Sequence, residues 1–393
     1  MRKSPLFVGR LILTAGLVAI YVYITNRLEY WSQLNYVDNL IGAAPIILIS
    51  GIAGLLIALI WKRHKNAATS TIVLSILSVM WGLLLIPAIT GSWYPLAKIR
   101  DYGSASPDMT IYAPFTNDTQ VAKLPPKASI TFTGELPILD GATALYPVYS
   151  AFANAVYNEA DYTKDTVVCT NTSNAYKSIV AGDCDIIFVA QPSEKQMQAA
   201  ESAGAELVFT PIGREAFVFL VGKSNPIDGL SYQQLRNIYS GKTERWKTLG
   251  WDDGGRMIAF QRPEGSGSQT GLQGIMGSLP IVKPRPLPDD SLIGTGSMMK
   301  QVSVEWNGVQ PAIGYSYRYY AVMMYPNLDA KLLKINGVYP SSESISNESY
   351  PFTANFYAVT NGQPKGNVKL LIEWILSDQG QYLVEQTGYA PMP

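Results

Sequence analysis

The chain has very few of the side chains on which metal binding and acid–base catalysis most often depend. Its 393 residues include one histidine and two cysteines, which leaves almost no material for a histidine or cysteine metal site. The histidine, His64, lies in a short basic segment before the third apolar run, away from the folded body. We therefore expect no catalytic residues, no metal and no cofactor, and two free, buried thiols at Cys169 and Cys184.

Charge is also scarce, and its distribution is uneven. Charged residues make up 15% of the chain, against about 25% in a typical soluble domain. The 30 basic and 30 acidic residues cancel, but residues 1–100 hold nine basic and two acidic ones, so residues 101–393 hold 21 and 28. The acidic body lacks the basic footprint that nucleic acid requires, so we expect no nucleic-acid partner.

Three apolar runs fill the first hundred residues. Residues 6–25, 41–61 and 71–90 are each about the 20 residues that a helix needs to cross a bilayer. Basic residues at the start and in the loop around Lys62 predict a cytoplasmic amino terminus. Three crossings then place the chain after about Gly91 outside the cell membrane. The alternative for the first run is a cleaved signal peptide.

The pattern thus predicts a multi-pass membrane domain over residues 1–95 and a linker over residues 96–126. No Asp, Glu or Lys lies in the middle of a span, which favours anchorage in membrane lipid over an ion pathway.

From residue 127 onward, short apolar strands alternate with helical segments. We predict strands at residues 166–169, 185–190, 216–221, 257–261, 312–316 and 355–359, and helices at residues 173–181, 193–203, 268–276 and 367–376. Ser231 and Gln234 form a capping box for another helix. This alternation is typical of α/β layers around mostly parallel sheets, arranged here in two lobes. In such folds ligands bind beyond the carboxyl ends of the strands.

Three predicted strand-to-helix junctions offer hydroxyls and unpaired backbone amides. They are residues 140–144 (DGATA), 170–173 (TNTS) and 262–270 (RPEGSGSQT). Helix starts stabilise anions, and the Arg262 guanidinium matches two oxygens of a tetrahedral oxyanion. A serine- or threonine-rich junction is by itself more often a plain helix cap. The third junction is not a nucleotide-binding Walker A loop, because Leu272 follows Gly271 where that loop has lysine.

These junctions, in this order, resemble those of the phosphate-binding (PstS-like) proteins that serve phosphate ABC transporters. The resemblance runs from about Leu136 to Tyr389 and is strongest in DGATALYPVYSAFA, EAFVFLVGKSNPIDGLSYQQLRNIYSGKTERW, AFQRPEGSGSQT and AIGYSYRYYA. It implies an α/β fold of the periplasmic-binding-protein-like type 2 class, with two lobes joined by a hinge. Lobe 1 would comprise residues 127–216 and 355–393, and lobe 2 residues 217–354.

The resemblance also implies a ligand set for inorganic phosphate: Thr143, Ala144, Thr172, Ser173, Gln191, Arg262, Glu264, Ser266, Gly267 and Ser268. Glu264 would orient the Arg262 guanidinium. Ala190 occupies the position where well-known phosphate receptors have an aspartate, with Gln191 beside it, so these residues do not by themselves secure phosphate over sulfate.

The resulting hypothesis is a membrane-anchored extracytoplasmic receptor that binds inorganic phosphate and delivers it to ABC permease subunits. An alternative is an oxyanion sensor that signals through the membrane domain. A phosphoryl-transfer enzyme is a weaker alternative, because it would need a metal–carboxylate cluster, and the adjacent acidic pairs at residues 252–253 and 289–290 are typical of solvated turns.

Overall fold

The computed structural model describes residues 107–125, 127–282, 298–303, 311–325 and 329–393. Of the first hundred residues it describes Gly16, Leu17, Ile20 and Leu56, so the three predicted spans and their orientation lie otherwise outside the described residues. Among the residues that are described, no helix combines the length and the apolarity of a membrane crossing.

The described residues form an α/β domain. Its strands are β1 (Leu139–Gly141), β2 (Ile186–Val189), β3 (Leu207–Gly222), β4 (Gly229–Leu230), β5 (Ile258–Ala259), β6 (Ala312–Tyr317), β7 (Ala330–Leu332), β8 (Lys334–Ile335) and β9 (Thr353–Asn361). Its helices are α1 (Tyr146–Val156), α2 (Thr172–Ala181), α3 (Glu194–Ser202), α4 (Tyr232–Tyr239), α5 (Gly267–Met276), α6 (Met298–Ser303), α7 (Arg318–Val322), α8 (Ser342–Ser346), α9 (Gly366–Ile375) and α10 (Asp378–Thr387).

One long strand, β3, passes through the two lobes of the fold. The main sheet has the order β1-β2-β9-β3-β6-β5, with β7 paired to β3. The first half of β3 pairs with β9, from Leu207 opposite Asn361 to Ala216 opposite Thr353. From Phe217 onward β3 pairs with β6 instead. A single continuous strand therefore passes from one lobe into the other, and the sheet changes partners near Ala216.

The prediction of mostly parallel sheets was wrong. The pairs β1–β2, β5–β6 and β4–β8 are parallel, but β2–β9, β3–β9, β3–β6 and β3–β7 are antiparallel. The reason is that β9 runs opposite to both of its neighbours, β2 and β3, while the second half of β3 runs opposite to β6 and β7. Periodicity along a sequence reports that a strand is buried, not the direction of its partner.

Most predicted elements are confirmed to within a residue or three, including the capping box of Ser231 and Gln234 on α4. The predicted strand at residues 166–169 was wrong. Val167 makes one isolated bridge to Leu139, because the chain then leaves the sheet and turns toward the end of β1, where the Thr170 amide donates to Asp140. The helices α6, α7, α8 and α10 were not predicted, and the strand predicted at residues 216–221 begins nine residues earlier, at Leu207.

The buried faces of the helices fix the loops at the carboxyl ends of the strands. Leu145, Val148, Tyr149, Phe152 and Val156 recur at helical spacing and form one buried face, each at most 3% exposed. Their burial holds α1 against the sheet, so the loop between β1 and α1 is anchored at both of its ends.

Part of the predicted linker contacts the domain. The Phe115 amide donates a hydrogen bond of 3.0 Å to Asn154 Oδ1 on α1, and the Phe115 ring lies 5.0 Å from that of Tyr162. Tyr112 and Val121 are buried. Residues 107–125 therefore pack on the domain over much of their length.

Candidate functional site

The loop that follows β1 is tied to the loop that precedes α2 by one buried carboxylate. Asp140 is 1% exposed, and its Oδ1 accepts hydrogen bonds from the Thr170 amide at 2.8 Å and from the Gly141 amide at 2.7 Å. The Thr170 hydroxyl donates to Oδ2. Asp140 thus holds the first two predicted junctions together without facing the ligand itself, a role that the sequence did not reveal.

The second junction opens the amino-terminal end of α2. Asn171 has a left-handed φ of 77°, and its side chain caps the helix by accepting from the Asn174 amide at 3.2 Å. The first turn of α2 contains no acidic residue, so nothing there offsets the positive end of the helix dipole. Thr172, the first helical residue, is 8% exposed and faces a cavity.

The third junction opens the amino-terminal end of α5. Ser266 caps this helix by accepting from the Gln269 amide at 3.2 Å. The amide of Arg262 donates to Tyr315 Oη at 2.8 Å and to Gln269 Oε1 at 3.0 Å, which fixes the start of the loop. The first turn of α5 also has no acidic residue. Two helix starts free of negative charge therefore lie at the same site.

These three junctions surround one cavity of about 450 Å³. Nine of the ten predicted site residues line it: Thr143, Ala144, Thr172, Ser173, Arg262, Glu264, Ser266, Gly267 and Ser268. Its remaining wall comes from the ends of β2 and β6 and from the middle of β3 and β9, including Ala190, Ser316, Tyr317, Glu215 and Asn355. The cavity lies where β1, β2, β5 and β6 end, as the sequence predicted for the site.

The side chain of Arg262 has a buried hydrogen-bond donor that lacks a partner. Its Nε is buried and makes no hydrogen bond to the described residues. Buried side-chain donors are nearly always paired in folded proteins, so this nitrogen, on a residue of the cavity wall, is a candidate donor to a ligand oxygen.

Glu264 does not orient Arg262, contrary to the expectation from the resemblance. Its carboxylate forms an ion pair with Lys195 Nζ at 3.3 Å and accepts from Gln273 Nε2 at 3.2 Å. No ion pair joins it to Arg262 among the described side chains. The carboxylate points instead toward α3, a direction that depends on how the lobes fold together and cannot be read from a two-residue spacing.

Gln191 lies outside this cavity. Its amide Nε2 is 3.3 Å from Tyr357 Oη, and the residue lines a second cavity of about 420 Å³ that shares Tyr317, Ala354 and Asn355 with the first. Its neighbour Ala190 does line the main cavity. Beyond the last residue of β2, therefore, the chain presents Ala190 to the site rather than the predicted amide of Gln191. The carbonyl of Ala190 accepts a hydrogen bond of 3.0 Å from the Tyr176 hydroxyl.

Glu215 is a site residue that sequence reasoning missed. It lies on β3, lines the main cavity and is 5% exposed. Its Oε1 accepts a hydrogen bond from the Tyr319 amide. Burial raises the pKa of this carboxyl to about 8, against the smaller lowering effects of the Tyr319 amide and the Arg318 charge. The signal in the sequence was one acid at the head of the apolar run that begins at Ala216.

The arrangement suits the binding of a small oxyanion. It combines two helix starts, several hydroxyls and one guanidinium, which together can donate hydrogen bonds to every oxygen of a tetrahedral ion. Within the described residues, no group of three or more His, Cys, Asp or Glu side chains could hold a metal ion.

The chain is similar to known proteins over about two thirds of its length. The chain is 23% identical over 272 residues to Protein SphX of Synechococcus elongatus, an alignment that spans 65% of this chain and 77% of that protein. It is 24% identical over 283 residues to the phosphate-binding protein PstS of Bacillus subtilis, spanning 70% and 85%.

A solved structure supports the same fold. It is the crystal structure, with bound phosphate, of a Clostridium perfringens protein assigned as a phosphate ABC transporter substrate-binding protein. That chain is 24% identical, matches with a TM-score of 0.52, and covers 66% of this chain and 100% of its own length. The model of the PBP superfamily domain matches residues 138–379. That match covers more than half of the chain. Together with the two-lobed α/β fold described above, it shows that this protein belongs to the PBP superfamily.

Proposed function

We propose that this protein is a membrane-anchored extracytoplasmic solute-binding protein that binds inorganic phosphate and delivers it to ABC permease subunits. The observation that carries the proposal is the cavity where three junctions meet around the unpaired Nε of Arg262. The names of the relatives, PstS among them, support phosphate as the ligand and transport as the role. Binding and release break no covalent bond, so we assign no enzymatic activity.

The ligand contacts proposed come from seven of the nine predicted residues on the cavity wall, since Ser173 and Glu264 are bonded to other residues. Thr143 and Ala144 would contribute from the first junction, and Thr172 from the second. Arg262 would supply the single full positive charge, with Ser266, Gly267 and Ser268 donating from the start of α5. In a site shielded from water, such charge-assisted hydrogen bonds are each worth about 1.5–3 kcal/mol.

We propose the domain boundaries that were predicted from the sequence. The membrane domain would cover residues 1–95 and the linker residues 96–126. Lobe 1 would comprise residues 127–216 and 355–393, and lobe 2 residues 217–354. The change of β3 partners at Ala216 supports the first of the two lobe boundaries.

Membrane anchorage through three spans rests on the apolar runs in the first hundred residues and on their basic flanks. It is tested by protease treatment of intact cells. We expect the domain to be cleaved from outside while an amino-terminal tag remains protected. Protection of the domain would contradict the proposed orientation.

Phosphate binding is tested by calorimetric titration of the purified full-length chain, with Arg262→Ala as the variant. Removing the guanidinium leaves the charge of the anion without its strongest partner, so the Kd should rise about 100-fold or more, which corresponds to about 2.7 kcal/mol. Arg245→Ala is a matched control, because Arg245 is exposed and lies outside the cavity. A rise of less than about tenfold in Arg262→Ala would contradict the proposed site.

A further inference from the structure

Glu215 is the acid that the cavity encloses most completely. It stands on β3 just before the strand changes partner from β9 to β6, and 5% of its surface is exposed. The Tyr319 amide is the one hydrogen-bond donor that the described residues provide to its carboxyl group. The rest of the group is left to face the cavity, where the anion site proposed above also lies.

The groups around Glu215 do not supply a partner charge. The guanidinium of Arg318, on α7, attracts its negative form only weakly, and its Nε is bonded to the carbonyl of Pro340 at 2.9 Å. Arg214, the preceding residue, pairs with Glu348 and with the carbonyl of Pro391. The remaining titratable or charged groups that face Glu215 or its cavity are Tyr317, Tyr319, Tyr320, Tyr389, Arg262 and Glu264.

Burial therefore dominates the titration of this carboxyl. Its pKa is raised to about 8. Burial also raises the pKa values of Tyr317, Tyr319 and Tyr389, so these tyrosines stay protonated far above that pH. Near neutral pH, Glu215 is mainly a neutral acid whose hydroxyl can donate to an anion oxygen. In alkaline solution it is a carboxylate, which can accept a hydrogen bond but cannot donate one.

The two forms treat two similar anions differently. Sulfate carries no proton at neutral or alkaline pH, so it is accepted by the neutral acid and repelled by the carboxylate. Hydrogen phosphate has the same charge and shape but carries a hydroxyl, which can donate to the carboxylate. The discrimination thus depends on which member of the pair, the protein or the ligand, supplies the shared proton.

We propose that Glu215 sets the discrimination between protonated and fully ionised oxyanions in this cavity, and that it makes the preference for hydrogen phosphate stronger in alkaline than in neutral solution. The inference rests on the proposed function of the cavity as an oxyanion site. It adds a selectivity residue from the strand that joins the lobes, outside the three junctions that cradle the anion.

The test is calorimetric titration of the full-length chain with phosphate and with sulfate at pH 7.5 and at pH 9.5, at constant ionic strength. In the unmodified protein, the ratio of the sulfate Kd to the phosphate Kd should rise about tenfold or more between these pH values. In Glu215→Gln the ratio should stay constant within about twofold. Gln keeps the oxygen that accepts from the Tyr319 amide, so the fold is retained.

Glu206→Gln is the matched control, since Glu206 is an exposed acid directly before β3 and outside the cavity; this variant should show the same rise as the unmodified protein. If Glu215→Gln fails to fold, the unmodified protein still decides the question. Sulfate binding at pH 9.5 should take up about one proton, measured in two buffers that differ in ionisation enthalpy, and phosphate binding should take up far less.

The outcomes separate the two proposals. If the protein binds neither phosphate nor sulfate at either pH value, the proposed function is overturned. Binding of phosphate with a ratio that does not change with pH, or a rise that persists in Glu215→Gln, would overturn the role of Glu215 alone.

Discussion

The hydroxyl of Ser173 donates a hydrogen bond of 2.8 Å to the carbonyl oxygen of Gly265. Ser173 belongs to α2, which packs on β1, β2 and β9, and Gly265 belongs to the loop before α5, which packs on β6. The side-chain Nε2 of Gln196, on α3, donates to the same carbonyl at 3.2 Å. Two donors from one lobe thus converge on one acceptor of the other, beside the candidate site.

The hydrogen bond from Ser173 to Gly265 should slow the release of the ligand, so its loss should speed release. Ser173→Ala removes one hydrogen bond between the lobes, worth about 0.5–1.5 kcal/mol, so the phosphate Kd should rise between about twofold and tenfold. We expect most of the change in the dissociation rate, measured by stopped-flow fluorescence. An unchanged dissociation rate would show that this contact does not hold the cleft closed.

The conformation of Gly265 predicts that alanine is poorly tolerated there. Gly265 has a φ of +80°, and a Cβ at this position would lie 3.1 Å from Ser173 Oγ. A left-handed conformation costs a residue with a Cβ about 1–2 kcal/mol, so Gly265→Ala should weaken phosphate binding or lower the melting temperature. Adding Ser173→Ala relieves the contact but not the backbone strain, so the melting temperature of the double variant should recover only partly. Full recovery would mean that the strain is absent.

Close packing around Gly141 makes a prediction about stability. A Cβ there would lie 2.5 Å from the backbone oxygen of Phe188 and 2.9 Å from a ring carbon of Tyr149. Gly141→Ala should therefore destabilise the domain by about 1–3 kcal/mol, measured by denaturant unfolding. Gly274→Ala on α5 is the matched control, because a Cβ there meets nothing within 4 Å. It should leave stability unchanged or raise it by up to about 1 kcal/mol, and equal losses in both variants would contradict this account.

The buried carboxyl of Glu215 predicts how stability changes with pH. Its pKa is raised from about 4.5 in an unfolded chain to about 8 in the fold, so between these values the folded protein holds a proton that the unfolded chain releases. Its contribution to stability is fully present below pH 4.5 and is lost as the pH rises toward 8, by up to about 4–5 kcal/mol.

Glu215→Gln should remove this contribution, which unfolding experiments at pH 5 and pH 8 can measure. The unmodified protein should lose several kcal/mol more than the variant over this interval. Parallel losses in the two proteins would show that Glu215 titrates normally.

Local sequence patterns predicted most of the site. The junctions that hold Thr143, Thr172 and Arg262 were recognisable because helix starts need particular residues: a capping oxygen, an adjoining glycine, and a buried strand before them. These requirements act over a few residues, so they can be read from the sequence.

The partners that depend on tertiary packing could not be predicted in this way. The carboxylate of Glu264 pairs with Lys195 from a helix 69 positions earlier, and Gln191 turns into a neighbouring cavity. Glu215 was missed because an acid at the edge of a buried strand shows its function only when the loops around it are in place. The strand directions were missed for the same reason, since the partners of β3 lie far along the chain, at β6, β7 and β9.

A crystal structure of the full chain with phosphate is the most direct test of the central claim, that three separate junctions hold one anion. We expect a single phosphate in the main cavity, with oxygens within about 2.7–3.2 Å of donors on Thr143, Thr172, Arg262 and Ser266. A phosphate bound elsewhere, or one in contact with a single junction only, would contradict the claim.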